Sequence, residues 1–262
     1  MKVVLFAAGL GTRIREYSTE IPKPMIPVGG QPIVSHVMEY YGDYGHNDFV
    51  LCLGYKSEVI RSYFRGGGRR HVTVEREVVR SESGDTVTLV ETGRLSNLGE
   101  RLWAVQDLVK NEDMFMANYS DGLTDVDLDE VVERFRQSGK VACFLAVRPP
   151  LTYHVADLSE DGSVRAMVPA RQSEIWVNGG YFIFRPEIFD YMRDGEELVV
   201  EPFKRLIDDN MLMAYKHEGF WRSMDTLRDW QSLEDMVEKG DMPWNMRVTA
   251  EKNRRSVVLA AS

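Results

Sequence analysis

Cysteine is scarce in this sequence. Cys52 and Cys143 are the only two in 262 residues, and each lies inside an apolar run. That excludes a disulfide-stapled scaffold and a thiolate zinc site, and both read as reduced core thiols. The five histidines show no metal-ligand spacing. No run of about 18 apolar residues occurs, so no segment is long enough to span a bilayer. The apolar run within residues 1–11 is too short for a signal peptide and lacks its cleavage pattern, so a cytoplasmic location is expected. Positive charge is also in deficit: 32 Lys and Arg against 41 Asp and Glu give −9. Such a surface repels phosphate backbones, so neither nucleic acid nor an anionic membrane is an expected partner. A small phosphorylated ligand remains compatible, because one pocket can be basic on an acidic protein. Internal repeats and low-complexity linkers are missing as well. An apolar fraction of 44% with 28% charged residues is that of an ordinary folded chain.

The first half alternates strand and helix signals. Residues 2–7 form a short apolar run closed by Ala8-Gly9, which reads as a buried strand. Ile33, Val37, Met38 and Tyr41 recur at helical spacing, with Gly42 and Gly45 closing that helix. A strand at 48–53 and a helix over 59–64 follow, and 66–70 reads as a mobile, solvated turn. Strands at 87–91, 114–119 and 141–147 alternate with helices near 98–109 and 128–137. This pattern predicts a mostly parallel sheet with helices on both faces. Past Pro149-Pro150, segments 153–158 and 163–168 flank Glu160-Asp161-Gly162 and read as a hairpin. A strand over 176–184 is interrupted by Gly179-Gly180, and helices return near 200–209 and 227–239. The expectation is an α/β, Rossmann-like domain over 1–245, with a β-rich lid inserted at about 150–200 and a tail over 246–262.

The most informative stretch is Gly9-Leu10-Gly11-Thr12-Arg13, followed by Pro22-Lys23-Pro24-Met25. A glycine-rich turn directly after the first strand lets backbone N–H groups approach a phosphate or a base edge. Arg13 and Lys23 add positive charge beside it. Walker A is excluded because Gly-Lys-Ser/Thr is missing, and the dinucleotide fingerprint because its third glycine is missing. Further on come Gly54-Tyr55-Lys56, Tyr119-Ser120-Asp121-Gly122, Asn178-Gly179-Gly180 and Glu201-Pro202. Gly219-Phe220-Trp221 and Met224-Asp225-Thr226-Leu227-Arg228-Asp229 complete the set.

In this order, over about residues 1–245, these motifs resemble the sugar-1-phosphate nucleotidylyltransferases, and among them the glucose-1-phosphate cytidylyltransferase branch. The resemblance implies transfer of a nucleotidyl group from a nucleoside triphosphate to a sugar-1-phosphate, giving a nucleotide-sugar and pyrophosphate. Asp121 and Asp225 would hold Mg²⁺, with Mn²⁺ as the alternative; both are hard cations that prefer oxygen. Taken alone, Asp121 also reads as a turn aspartate and Asp225 as a helix N-cap. Arg13 would hold the triphosphate and Lys23 the α-phosphate region. Ala8, Gly9, Gly11, Thr12, Gly54 and Arg101 would shape the nucleotide site. Asn178, Gly179, Gly180 and Glu201 would line the sugar site, although Glu201 also reads as a first-turn helix acid. The resemblance further implies a homo-oligomer. Tyr40, Tyr41 and Trp176 read either as its interface or as core.

Two positions depart from the family pattern. Counting back from Asn178, Val168-Pro169-Ala170 replaces Glu-Lys-Pro, so the lysine that grips the sugar phosphate is Pro169. In Leu98-Gly99-Glu100-Arg101, Glu100 replaces a small neutral residue and would repel a phosphate unless Arg101 paired it. Losing one preorganised donor costs about 10²–10³ in rate, so Arg171 or Arg165 would have to compensate. Otherwise the scaffold would act on a finished nucleotide-sugar, as a metal-dependent mutase or isomerase, or only bind it as a sensor.

Overall fold

The structure, a computed structural model, describes residues 1–9, 21–66, 68–72, 76–81, 84–149 and 153–246. Strand β1 (Lys2–Phe6) is apolar after Lys2, and its last four residues are buried. A ribbon of β2 (Pro27–Val28) and β3 (Gln31–Pro32) leads into the helix Ile33–Asp43. Then come β4 (Asp48–Leu53), the helix Ser57–Arg65, β5 (Gly68–Val72), β6 (Arg76–Ser81) and β7 (Thr86–Glu91). Helices Leu98–Ala104 and Gln106–Val109 precede β8 (Phe115–Asn118) and β9 (Gly122–Thr124). The helix Leu128–Ser138 leads to β10 (Ala142–Val147) and the hairpin β11 (His154–Leu158) with β12 (Val164–Pro169). The chain closes with β13 (Val177–Asn178), β14 (Phe182–Phe184), the helix Glu201–Asp208, β15 (Leu212–His217), β16 (Trp221–Ser223) and the helix Leu227–Glu238.

Among the described residues the main sheet has ten strands, in the order β13-β10-β14-β8-β1-β4-β7-β6-β5, with β15 beside β10. The centre is parallel: β1 pairs with β8 and β4, and β4 with β7. The flanks are antiparallel through β14, β13, β6 and β5. Alternate residues of each strand face opposite sides, as the period of two requires. Val3 and Leu5 therefore join a core under the helices Ile33–Asp43 and Leu128–Ser138. Val4 and Phe6 join the other, under the segments 98–109 and 201–206. The expected mixed, mostly parallel sheet flanked by helices is what the chain forms. Among the described residues no helix is long and apolar enough to cross a membrane.

Two expectations need correction, and the alternatives open at Tyr40 and Tyr41 are decided. Gly68–Val72 is not part of a turn but a strand, because it finds a partner in β6. The stretch 177–184 belongs to the main sheet rather than to an insertion: β13 and β14 both pair antiparallel with β10. The β11–β12 hairpin alone stands apart as its own ribbon. Tyr40 and Tyr41 are core, at 2% and 0% exposure, and the Tyr40 hydroxyl donates to the Val126 carbonyl at 2.5 Å. Trp176 is half-buried beneath the Arg148 guanidinium, 4.0 Å from its ring centre. Of the tail over 246–262, all but Met246 lies outside the described residues.

Both cysteines are buried free thiols, and burial pushes each up to about 12. On β6, the buried Glu77 carboxylate accepts two bonds from Arg65, each at 2.8 Å, and one from Arg61 at 3.4 Å. The Arg65 hydrogen bonds hold Glu77 below the usual carboxylate range. A lowered folded pKa gives stability that is present above the unfolded pKa and lost as pH falls through the folded one. Glu77→Gln should therefore melt at a lower temperature near neutral pH. That deficit should vanish below the ordinary carboxylate range, where the parent's Glu77 is also neutral; thermal melts across pH check it.

Candidate active site

The carboxyl ends of parallel strands are where an α/β sheet offers room for a ligand. Here the ends of β1 and β8 open into a cleft of ≈ 630 Å³. Ala8 and Gly9 line it from the end of β1, and a side chain at Gly9 would meet nothing within 4 Å. Past β8, Ser120 adopts a left-handed backbone, φ 68°, uncommon for a residue with a Cβ. Its hydroxyl donates to the Phe6 carbonyl at 3.0 Å, which ties the two strand ends together and turns Asp121 into the cleft.

Asp225 reaches the same point by strand pairing. In the β16–β9 ribbon, Ser223 lies opposite Gly122, and the Met224 N–H donates to the Asp121 carbonyl at 3.0 Å. Two residues more than 100 positions apart are thereby made neighbours. Thr226 caps the following helix in a reciprocal box with Asp229, which holds the turn carrying Asp225. The Ser223 hydroxyl donates to Asp225 Oδ2 at 2.8 Å.

Lys23 supplies the opposing charge. Pro22 and Pro24 keep this stretch short and stiff, while Pro24 and Met25 are buried as its anchor. The Trp230 indole donates to the Pro27 carbonyl at 2.8 Å, fixing the segment to the last helix. Lys23 Nζ is thus held between Asp121 Oδ2 and Asp225 Oδ1, the latter at 2.8 Å. Burial pulls this ammonium down, yet the two carboxylates together hold it above the ordinary lysine value. Burial pushes the Asp121 carboxyl up, against the pull of Lys23.

Eight of the residues singled out in the sequence line this one cleft: Ala8, Gly9, Lys23, Arg101, Asp121, Asn178, Gly179 and Asp225. Gly54 and Gly180 stand behind it and allow close packing. A Cβ on Gly54 would lie 2.6 Å from the Gly93 carbonyl, and one on Gly180 would lie 2.9 Å from the Tyr119 ring. Gly11, Thr12 and Arg13 lie outside the described residues. Two others are elsewhere. Glu201 is exposed in the first turn of its helix and accepts from the Glu197 N–H at 3.1 Å. Arg171 is exposed on a short turn after β12, away from the cleft, and Arg165 faces Asp157 across the hairpin at 3.9 Å.

Glu100 does not face the cleft either. Its carboxylate accepts from the Asn97 N–H at 2.8 Å, closing a capping box on the helix Leu98–Ala104. Arg101 is buried and donates to Thr92 Oγ1 and the Gly93 carbonyl, each at 2.8 Å. Pro169 ends β12 opposite His154, outside the residues that line the cleft. Several lining residues carried no assignment: Tyr119, Trp221 and Ser223, all within or beside motif stretches, and Arg94 and Glu197, which no motif flagged. Arg94 lies over the Tyr55 ring, 5.4 Å from its centre. The Trp221 indole donates to the Gly179 carbonyl at 2.8 Å, and a Cβ there would lie only 3.0 Å from the indole nitrogen.

A two-carboxylate, one-lysine cluster at the strand ends of such a sheet is the setting in which comparison with known proteins decides. The Nucleotidyl transferase family model matches residues 2–239. The chain belongs to this family. It is 37% identical over 254 residues to a glucose-1-phosphate cytidylyltransferase of Salmonella typhi, covering 93% of this chain and 98% of the relative. It is 28% identical to a UTP–glucose-1-phosphate uridylyltransferase of Synechocystis, covering 91% of this chain and 64% of that one. The fold matches the UTP-bound UGPase of Acinetobacter baumannii at a TM-score of 0.68 and 18% identity, over 95% of this chain and 97% of that one. The resemblance to the cytidylyltransferase branch of the family therefore extends along most of the sequence.

Removing the ammonium leaves two partly buried carboxylates facing each other. Lys23→Ala should lower stability by about 1–3 kcal/mol. Added Mg²⁺ should raise the melting temperature of the variant more than that of the parent; calorimetry with and without the cation checks this.

Proposed function

We propose that this protein transfers a cytidylyl group from CTP to a hexose-1-phosphate, releasing pyrophosphate and leaving a nucleotide-sugar. The observation that carries the reading is the convergence of Asp121, Asp225 and Lys23 at one point of the cleft. The family supports nucleotidyl transfer. The Salmonella relative's name supports cytidine as the base and glucose-1-phosphate as the acceptor.

An in-line attack by the acceptor phosphate on the α-phosphorus needs no protein nucleophile; it needs positioning and charge neutralisation. Asp121 and Asp225 fit a hard divalent cation. Both offer oxygen donors, they come from rigid neighbouring turns, and they already converge on a single positive charge. Among the described residues no third His, Cys, Asp or Glu joins them. That suits Mg²⁺, or Mn²⁺, which completes its shell with water and phosphate oxygens. Bound there, the cation would neutralise the triphosphate charge. Lys23, released from the carboxylates, would lie within reach of the phosphates. By resemblance, Arg13, outside the described residues, would hold the triphosphate. The Ser223 hydroxyl orients Asp225. Asn178 is fixed from both sides: its amide donates to the Tyr119 hydroxyl at 3.1 Å and its carbonyl accepts from the Gly180 N–H at 2.9 Å.

The mutase and sensor readings started from Pro169 and Glu100. Glu100 is taken up in a helix cap, and the family and the named relatives support nucleotidyl transfer rather than either alternative. A homo-oligomer is supported by the β11–β12 hairpin, a lone two-stranded ribbon that exposes Leu158, Val164 and Met167. Such ribbons are marginal without a covering surface.

With Mg²⁺ and glucose-1-phosphate, CTP should release pyrophosphate faster than the other nucleoside triphosphates. Asp121→Ala and Asp225→Ala should each lower the rate by about 10²-fold or more. A coupled pyrophosphate assay reads both. No release from any pairing of triphosphate and hexose-1-phosphate would overturn the proposal.

A further inference from the structure

One carboxylate in the cleft has no place in the chemistry above. Glu197 precedes the helix Glu201–Asp208, lines the cleft, and has one side-chain oxygen, Oε1, that is buried with no hydrogen-bond partner among the described residues. Leaving a buried acceptor unpaired costs its full desolvation, and native structures rarely tolerate it without a reason. Burial pushes this carboxyl up, and the backbone N–H groups of Leu98 and Leu198 oppose that rise by favouring the charged form.

Its position is built. A Cβ on Gly99 would lie 2.2 Å from the Glu196 carbonyl, so the bare glycine lets segment 196–198 lie directly on the helix Leu98–Ala104. That contact brings Glu197 to the cleft wall. Tyr119, whose hydroxyl accepts from Asn178, lines the same cleft and is influenced by the Glu197 charge.

An unpaired carboxylate oxygen wants a donor and repels phosphate, so it does not serve the triphosphate or the acceptor phosphate. A sugar hydroxyl is the donor that the acceptor itself carries. We propose that Glu197 is a specificity-determining residue that accepts a hydrogen bond from one hydroxyl of the acceptor sugar. The inference rests on the sugar-1-phosphate transfer proposed above.

A site built to bond a hydroxyl rejects the analogue that lacks it, because the buried acceptor is then left unpaired. The experiment compares glucose-1-phosphate with each of its monodeoxy analogues in the pyrophosphate assay, for the parent, Glu197→Gln and Glu197→Ala. The parent should disfavour one deoxy analogue by about 10- to 100-fold in kcat/KM. Glu197→Ala should erase that preference by slowing the hydroxylated substrate alone, with KM for CTP unchanged; Glu197→Gln, which keeps one oxygen, should fall between. Melting temperatures of both variants separate this from unfolding, since a merely structural role would slow all sugars alike. An unchanged ratio in Glu197→Ala, or a change in base preference instead, overturns the inference. If no pairing releases pyrophosphate, the reaction proposed above fails first. Calorimetric binding of CDP-glucose and its monodeoxy analogues then decides on Glu197 independently, with equal affinities, or no binding at all, counting against it.

Discussion

The ammonium of Lys23, clasped by Asp121 and Asp225, joins three stretches of chain that the sequence keeps far apart. Three separate devices bring them there: a proline-stiffened turn around Lys23, a left-handed serine just past the end of β8, and the β16–β9 register. Two like charges this close, partly buried, would repel without a cation between them. The lysine keeps the carboxylates poised in the free protein. In the function proposed above, a divalent cation would take over its charge at the carboxylates and free the lysine for phosphates.

The same cleft wall explains why several glycines are where they are. Gly99 and Gly54 mark places where backbone lies too near for a Cβ, and at Gly179 a Cβ would crowd the Trp221 indole. Gly99 admits the Glu196–Leu198 segment, Gly179 admits Trp221, and Gly54 lets the loop after β4 lie against Ala8. These glycines therefore act through packing. Glu197 reaches the cleft because of one of them.

The departures from the family pattern take on a different meaning in three dimensions. Glu100 would threaten an incoming phosphate if it faced the cleft, but a helix start with free N–H groups is a stronger attraction for a nearby carboxylate. It turns back to Asn97 and closes a capping box. The missing lysine is not replaced by Arg171 or Arg165, because both belong to the exposed ribbon and the turn after it. Of the cationic side chains that do line the cleft, Arg101 is committed to protein oxygens and Lys23 to Asp121 and Asp225. Arg94 extends over Tyr55 at the rim.

Much of this was legible in the residues themselves. Apolar runs ending in glycine marked β1 and β4, helical spacing marked Ile33–Asp43, and Glu160-Asp161-Gly162 marked the hairpin. These are local signals, written in adjacent residues. Lys23 and both aspartates were legible as a group because motif order preserves them. Strand pairing was not: Gly68–Val72 looks like a turn until β6 lies beside it, and 177–184 looks inserted until β10 supplies its partner. Nor was the direction of a side chain. Whether Glu100, Glu201 or Glu197 faces the cleft depends on which donors surround each one after folding, and those donors come from residues distant in sequence. Composition and motif order therefore determined the family and the chemistry. Packing alone decided which carboxylates the cleft contains, because hydrogen-bond partners exist only once the chain has closed on itself.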